Sequence, residues 1–254
     1  MPDRFIWYEL MTPDPVAAAR FYGRVMGWTA TDSGLADRSY TIVSAGETPV
    51  GGMMAMPASA ARPGARPGWL GYIGVRDVDA AASRVTAAGG TIHRPAEDIP
   101  EVGRFAVVAD PQGAPFVLFK GSADAGPARP QAGTPGFTGW HELHSKDWES
   151  AFAFYSGLFG WTKAEAHDIG AMGIYQLFTI DGVAAGGMMN HKDVSPHPFW
   201  LFYFNVADIN EAAARVTSND GRILSGPHEV PGGDVIVHCA DAQGAMFAMV
   251  APGR

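Results

Sequence analysis

The sequence has little charge, a single cysteine and no long apolar run. Charged residues make up 17% of the 254-residue chain and the formal net charge is −8, so the basic surface that binds nucleic acid is missing. One cysteine, Cys239, excludes an internal disulfide and a cysteine-rich zinc site. No apolar stretch approaches the ~20 residues that cross a bilayer, and the first residues, MPDRFIWYEL, lack a secretory leader pattern. We expect a cytoplasmic protein with no nucleic-acid or membrane partner.

The residues that are abundant indicate a folded α+β protein. Hydrophobic residues account for 47% of the chain, enough for a well-filled core. The 32 glycines and 19 prolines favour many short strands joined by tight turns.

The chain repeats itself. Residues 7–29 read WYELMTPDPVAAARFYGRVMGWT and residues 140–162 read WHELHSKDWESAFAFYSGLFGWT, which share ten identities in 23 positions. Three later segments recur in the same order: 51–54 at 186–189, 77–85 at 208–216, and 110–113 at 241–244. We therefore predict a tandem duplication, with a first copy at 1–121, a Gly/Pro/Ala-rich linker at 122–136 and a second copy at 137–254.

Each copy contains the same local pattern twice: a strand, a helix and three more strands. In the first copy Asp14 fits the helix N-cap, Pro15 fits the first helical position and Gly27 ends the helix. The pattern predicts four βαβββ motifs that form two open, curved sheets, each with a concave face able to hold a ligand.

The order of motifs in both copies resembles one known superfamily. A leading strand, Phe-Tyr near a helix end, Gly-Trp, and a late Asp-x-x-Gly before an apolar strand resemble the glyoxalase/bleomycin resistance/extradiol dioxygenase superfamily, which has the vicinal oxygen chelate fold. The resemblance covers nearly the whole chain. It implies the fold and leaves the chemistry open, because this fold carries lyases, isomerases, dioxygenases, thiol transferases and drug-sequestering proteins.

The resemblance also implies where a divalent metal would bind. The three ligand positions correspond to Trp7, Leu70 and Val117 in the first copy, and to Trp140, Leu201 and Ala248 in the second. None of these side chains supplies an imidazole nitrogen or a carboxylate oxygen. We therefore predict no metal and no other cofactor. A different cluster, made of Glu142, His144 and His238, is the alternative metal site.

Residues two apart on a strand share a face, so each leading tryptophan shares its face with a glutamate. The predicted ligand-binding residues are Trp7, Glu9, Tyr72, Trp140, Glu142 and Tyr203. An indole, a carboxylate and a phenol suit a flat or cationic small molecule. In the alternative interpretation, the aromatic rings fill the metal position as core and the glutamates lie at strand ends in water.

We accordingly expect a metal-free protein, monomer or homodimer, that binds an aromatic or heterocyclic small molecule. One alternative is a metal-dependent lyase or dioxygenase with an unrecognised metal site. Another is an interaction protein whose concave faces are filled by side chains. The sequence identifies no catalytic residue.

Overall fold

A computed structural model describes residues 3–35, 39–57, 66–122, 131–190 and 197–253. The first half contains β1 (Phe5–Thr12), α1 (Pro15–Met26), β2 (Thr29–Asp32), β3 (Tyr40–Ala45), β4 (Thr48–Ala55), β5 (Gly68–Gly74), α2 (Val78–Ala87), β6 (Thr91–Ile99), β7 (Gly103–Ala109) and β8 (Pro115–Gly121). The second half contains β9 (Thr138–Ser145), α3 (Trp148–Phe159), β10 (Thr162–Asp168), β11 (Ile174–Ile180), β12 (Val183–Asn190), β13 (Phe199–Asn205), α4 (Ile209–Thr217), β14 (Arg222–Glu229), β15 (Val235–Ala240) and β16 (Met246–Ala251). Among these residues, no helix is both long and apolar enough to cross a bilayer.

Strands β1–β8 belong to one open mixed sheet and β9–β16 to a second. In each motif the first strand pairs in parallel with the fourth, and the fourth, third and second strands pair antiparallel with one another in that order. In the first motif β1 pairs with β4, β4 with β3 and β3 with β2. In the second motif β5 pairs with β8, β8 with β7 and β7 with β6. The second half repeats this order. The predicted α+β fold of four βαβββ motifs is therefore confirmed.

The helix boundaries follow the predicted capping residues. The Asp14 carboxylate accepts a hydrogen bond from the Ala17 amide at 2.9 Å, and Gly27 ends α1 with φ of 76°. An aspartate caps each of the other three helices in the same way: Asp77, Asp147 and Asp208. Each cap satisfies backbone N–H groups that the first helical turn leaves without a partner.

The contacts divide the chain into two compact units, and each contains one βαβββ motif from each half. Unit 1 comprises Met1–Ile6, Leu70–Ala128 and Trp140–Leu201. Unit 2 comprises Trp7–Trp69, Arg129–Gly139 and Phe202–Arg254. The copy boundaries at 1–121 and 137–254 stay a prediction, and residues 123–130 of the predicted linker lie outside the described residues.

A buried hydrogen-bonded chain ties the two motifs of unit 2 together. The Trp69 indole N–H donates to the Tyr22 hydroxyl at 2.9 Å, and that hydroxyl donates to the Asp241 carboxylate at 3.3 Å. The same carboxylate accepts from the backbone amides of Gln243 and Ala245, both at 2.9 Å. The Asp-x-x-Gly loop of one copy is thus fixed by the Phe-Tyr motif of the other.

Unit 1 contains the matching chain with the copies exchanged. Trp200 donates to Tyr155 at 3.0 Å, and Tyr155 donates to Asp110 at 3.3 Å. Burial, followed by the nearby Asp110 carboxylate, raises the pKa of the Tyr155 hydroxyl well above its usual value, so it stays a donor. The Phe-Tyr and Asp-x-x-Gly motifs therefore hold the fold together.

The glutamine inside each Asp-x-x-Gly loop adds a second link within its unit. In unit 2 the Gln243 amide accepts from the Asp14 backbone N–H at 2.8 Å and donates to the Asp14 carbonyl at 2.9 Å. In unit 1 Gln112 accepts from the Asp147 backbone N–H at 2.9 Å and donates to its carbonyl at 2.7 Å. Each glutamine therefore anchors a capping residue of the partner motif.

Candidate functional site

Strand β1 presents Trp7, Glu9 and Met11 on one face, as the alternation predicts. Glu9 is buried, whereas Trp7 is half-buried. The Trp7 indole N–H donates to the Tyr40 hydroxyl at 2.9 Å, and that hydroxyl is hydrogen-bonded to Glu9. Indole, phenol and carboxylate thus form a continuous hydrogen-bonded chain within unit 2, which we call the Trp–Tyr–Glu chain of the first copy.

The second copy has the same chain in unit 1. The Trp140 indole N–H donates to the Tyr175 hydroxyl at 2.7 Å, and Tyr175 donates to Oε2 of Glu142 at 2.9 Å. Glu142 is buried and Trp140 is half-buried, as in the first copy. The predicted Trp–Glu pairs therefore lie on one strand face in both copies, each joined by a tyrosine.

The Gly-Gly-Met-Met repeat explains how each tyrosine reaches its glutamate. Gly52 lies opposite Glu9 on β4, and Gly187 lies opposite Glu142 on β12. A Cβ atom at Gly52 would overlap the Tyr40 ring, and one at Gly187 would overlap the Tyr175 ring. The second glycine of each pair therefore leaves room for a phenol ring to cross the strand.

Sequence reasoning missed Tyr40 and Tyr175. The signal was present in the repeat, since each tyrosine lies 11 residues before the first glycine of its Gly-Gly pair. Burial, followed by the Glu9 carboxylate, raises the pKa of the Tyr40 hydroxyl, and burial followed by Glu142 does the same for Tyr175. Both phenols therefore remain protonated and act as donors to their carboxylates.

The second copy adds a histidine to its chain. Nε2 of His144 lies 2.7 Å from Oε1 of Glu142, and both side chains are buried. The His144 ring stacks on Phe199 with ring centroids 4.6 Å apart and an angle of 3° between the planes. The Glu142 carboxylate is thus bound by Tyr175 through one oxygen and by His144 through the other.

The two predicted site tyrosines are more buried than the tryptophans. Tyr72 is buried in unit 1 and packs against the Phe119 ring at 5.9 Å. Tyr203 is buried in unit 2, and its hydroxyl lies 2.7 Å from Nε2 of His238. Their roles in ligand binding, like those of the Trp–Glu pairs, stay predictions.

The residues at the metal positions of the resemblance do not fit a divalent ion. Leu201, Val117 and Ala248 are buried aliphatic side chains, Leu70 is also aliphatic, and Trp7 and Trp140 use their indole N–H groups as donors to tyrosine. Within the described ranges, no group of three or more His, Cys, Asp or Glu side chains could hold a metal. The alternative metal site predicted from the sequence, which combined Glu142, His144 and His238, is therefore not formed.

A cavity and a buried thiol are two further features outside the Trp–Tyr–Glu chains. A cavity of about 430 Å³ in unit 1 is lined in part by Asp3, Arg76 and Arg84, but the Arg84 guanidinium already donates to backbone carbonyls at the end of α3. Cys239 is fully buried, and burial raises the pKa of its thiol to about 12. The raised pKa keeps the thiol in its protonated, less reactive form at neutral pH.

The sequence profile of the "Glyoxalase/Bleomycin resistance protein/Dioxygenase superfamily" matches residues 4–118 and 139–249. The chain belongs to this superfamily. A Mycobacterium tuberculosis relative, CFP32, named a provisional glyoxylase, is 29% identical over 97% of this chain and 94% of its own. The anthracycline biosynthesis protein DauV of a Streptomyces species is 30% identical over 96% of this chain and 91% of its own.

Solved structures of the superfamily share the fold. The Mn(II)-bound glyoxalase from Novosphingobium aromaticivorans aligns with 100% of this chain and 83% of its own, with a TM-score of 0.66 and 15% sequence identity. The name of that enzyme includes a bound Mn(II) ion, and a likeness at this level of identity shows the fold alone. The shared fold therefore does not transfer metal chemistry to this chain.

Proposed function

We propose that this superfamily member binds a flat aromatic or heterocyclic small molecule without a metal ion. The Trp–Tyr–Glu chain carries this proposal. In both copies a half-buried indole lies on the same strand face as a buried carboxylate that a tyrosine holds in place. A planar ligand gains contact area and a favourable quadrupole interaction on an indole.

The ordered carboxylate of each copy supplies the polar part of the proposed site. A carboxylate accepts up to about four hydrogen bonds, so Glu9 and Glu142 can each orient a ligand donor or cation in addition to the tyrosine hydroxyl that each one binds. We therefore assign the donor-orienting role to both glutamates, and we retain Trp7, Trp140, Tyr72 and Tyr203 as proposed ligand contacts.

The relatives favour a polycyclic ligand. The DauV relative carries the name of anthracycline biosynthesis, and anthracyclines are flat, fused aromatic molecules. We extend this ligand class to the present chain as part of the proposal. A metal-dependent lyase or dioxygenase would need donors that the metal positions lack. An interaction protein with filled concave faces would bind no aromatic ligand, so a binding experiment separates the two cases.

Tryptophan fluorescence titration with 2-methoxyanthraquinone, in the presence of a chelator, tests the proposal. The expected result is saturable quenching that decreases in Trp7→Phe and Trp140→Phe, since these variants remove the indoles that the ligand would contact. Glu9→Gln is expected to weaken binding of an anthraquinone that carries an alkylammonium group more than binding of the neutral probe. Tight binding of a glutathione adduct, unaffected by Glu9→Gln and Glu142→Gln, would contradict the proposed roles. Cytoplasmic location and a monomeric or dimeric state stay predictions.

A further inference from the structure

The cavity of about 430 Å³ in unit 1 lies beside helix α2, and its lining includes no residue of the Trp–Tyr–Glu chains. Two guanidinium groups, those of Arg76 and Arg84, line it together with apolar side chains that include Val75 and Phe159. Val75 is buried and Phe159 is half-buried. A cavity of this size can hold a small organic molecule, and this one combines positive charge with an apolar wall.

Arg84 has a structural role that leaves part of its guanidinium for a ligand. Its Nη2 donates to the backbone carbonyl of Gly157 at 3.2 Å and to that of Leu158, both near the end of α3. The equivalent residue of unit 2, Arg215, donates from Nε to the carbonyl of Val25 near the end of α1, at 3.0 Å. Nε and Nη1 of Arg84 donate to no residue that the structure describes, so their N–H groups remain for a ligand.

The charge next to this arginine differs between the two units. In unit 2 the Glu211 carboxylate lies 3.8 Å from the Arg215 guanidinium, four residues further along α4. The repeat aligns Glu211 with Ala80, which also lines the cavity of unit 1. Arg84 therefore lacks the carboxylate that accompanies its counterpart.

Arg76 adds a second guanidinium that unit 2 does not have at the equivalent position. The repeat aligns Arg76 with Ala207. The Arg76 side chain is exposed, and across the described ranges it donates no hydrogen bond and forms no salt bridge. Its neighbour Asp77 caps α2 by accepting from the Ala80 amide at 3.0 Å, so the helix N-terminus balances the charge of that carboxylate.

Asp3 supplies the other carboxyl group of the cavity. The Trp161 indole N–H donates to the Asp3 backbone carbonyl at 2.9 Å, which fixes this residue beside α2. Burial raises the pKa of the Asp3 carboxyl above its usual value, although Arg84 and Arg76 lower it, so both guanidinium groups lie near this carboxyl. Two guanidinium groups thus have one carboxyl group near them outside the helix cap, and a ligand can supply a second.

We propose that this cavity binds an arene carboxylate, with the carboxylate on Arg76 and Arg84 and the ring against Phe159. A planar guanidinium binds a carboxylate through two parallel N–H···O hydrogen bonds. The Phe159 ring extends an aromatic cluster, since its centroid lies 5.7 Å from that of Trp161, and a flat ligand gains contact there. The apolar wall favours an arene over a bare anion such as inorganic phosphate.

Isothermal titration calorimetry with 2-naphthoate and with its neutral amide, 2-naphthamide, tests the inference. The two probes share one ring system and nearly one shape, so the difference in affinity reports the contribution of the carboxylate. The wild-type protein is expected to bind 2-naphthoate about tenfold more tightly than 2-naphthamide. Inorganic phosphate at the same concentration is expected to leave the 2-naphthoate affinity unchanged, because it has no ring to place against the apolar wall.

Two substitutions give unit 1 the side chains of unit 2. Arg76→Ala introduces the side chain of Ala207, and Ala80→Glu introduces that of Glu211, so unit 2 shows that the fold accepts both at these exposed positions. Each variant is expected to bind the two probes equally, and Ala80→Glu does so with both arginines still present. Arg20→Ala removes an exposed arginine of α1 and is the control for net charge, so it is expected to keep the tenfold preference.

Three results would overturn the inference. The first is equal affinity of the wild-type protein for the two probes. The second is a preference for 2-naphthoate that survives either Arg76→Ala or Ala80→Glu, since the anion would then bind elsewhere. The third is an equal loss of preference in Arg20→Ala, which would show a response to net charge alone. Each result leaves the Trp–Tyr–Glu chains to the separate anthraquinone titration.

Discussion

The Tyr175 hydroxyl donates to Oε2 of Glu142 across the strand that separates them. Tyr175 lies on β11 and Glu142 on β9, and the intervening strand β12 carries Gly187 opposite Glu142. The hydrogen bond of 2.9 Å exists because that position has no side chain. The same relationship joins Tyr40 to Glu9 over Gly52 in the first copy.

Replacing Gly187 by alanine is therefore expected to displace the Tyr175 ring and break its hydrogen bond to Glu142. We predict a loss of about 1–3 kcal/mol in the free energy of unfolding, typical of overpacking in a closed site. Urea denaturation measures this loss. Gly157→Ala is the matched control, because Gly157 lies inside α3 with open space around its Cβ direction, and alanine there is expected to raise stability by about 0.5–1 kcal/mol. Equal effects of the two substitutions would contradict this explanation of the Gly-Gly repeat.

Tyr155→Phe removes the hydroxyl that links Trp200 to Asp110. Because this leaves a buried donor and a buried carboxylate each short of a partner, we predict a loss of about 1–3 kcal/mol. Tyr22→Phe should cost a similar amount in unit 2, since it breaks the same chain to Asp241. A double-mutant cycle of Tyr155→Phe with Asp110→Asn measures the coupling, and strictly additive effects would show that the chain does not act as a unit.

The buried thiol of Cys239 gives a prediction about pH. Its pKa is raised from 9.0 to about 12 in the folded protein, so the folded state binds the thiol proton more tightly than the unfolded state does. The resulting stabilisation is complete below pH 9.0 and is lost as the pH rises towards 12. Iodoacetamide labelling at about pH 8 should therefore be slow in the native protein and fast in denaturant. Rapid labelling of the native protein would contradict the buried position.

Much of the fold could be predicted from the sequence because its signals are local. Aspartate caps, Gly27 and the alternation that places Trp7 with Glu9 all depend on neighbouring residues. The repeat then allowed the predictions made for the first copy to be applied to the second. Pairing between distant motifs has no local signal: Tyr22 and Asp241 are 219 residues apart, so the composition of the compact units appears only in the structure.

The candidate site was predicted only in part, for a related reason. The placement of Glu142 and Trp140 on one face follows from strand alternation. Nothing in the local sequence distinguishes Tyr175, near the start of β11, from any other residue that favours a strand. The position of the Tyr175 ring over Gly187 depends on the pairing of β11, β12 and β9. The sequence offered His144 with Glu142 and His238 as an alternative metal site, whereas the hydrogen bond of His144 to Glu142 and its stacking on Phe199 appear only in the structure.

Metal content measured together with ligand affinity tests the central claim most directly. The protein is exposed to Mn²⁺, Ni²⁺, Co²⁺, Zn²⁺ and Fe²⁺, separated from unbound metal and analysed for bound elements. It is then titrated with 2-methoxyanthraquinone with and without a chelator. We predict no stoichiometric metal and the same affinity under both conditions. One metal ion retained per copy, with affinity lost on chelation, would contradict metal-free binding.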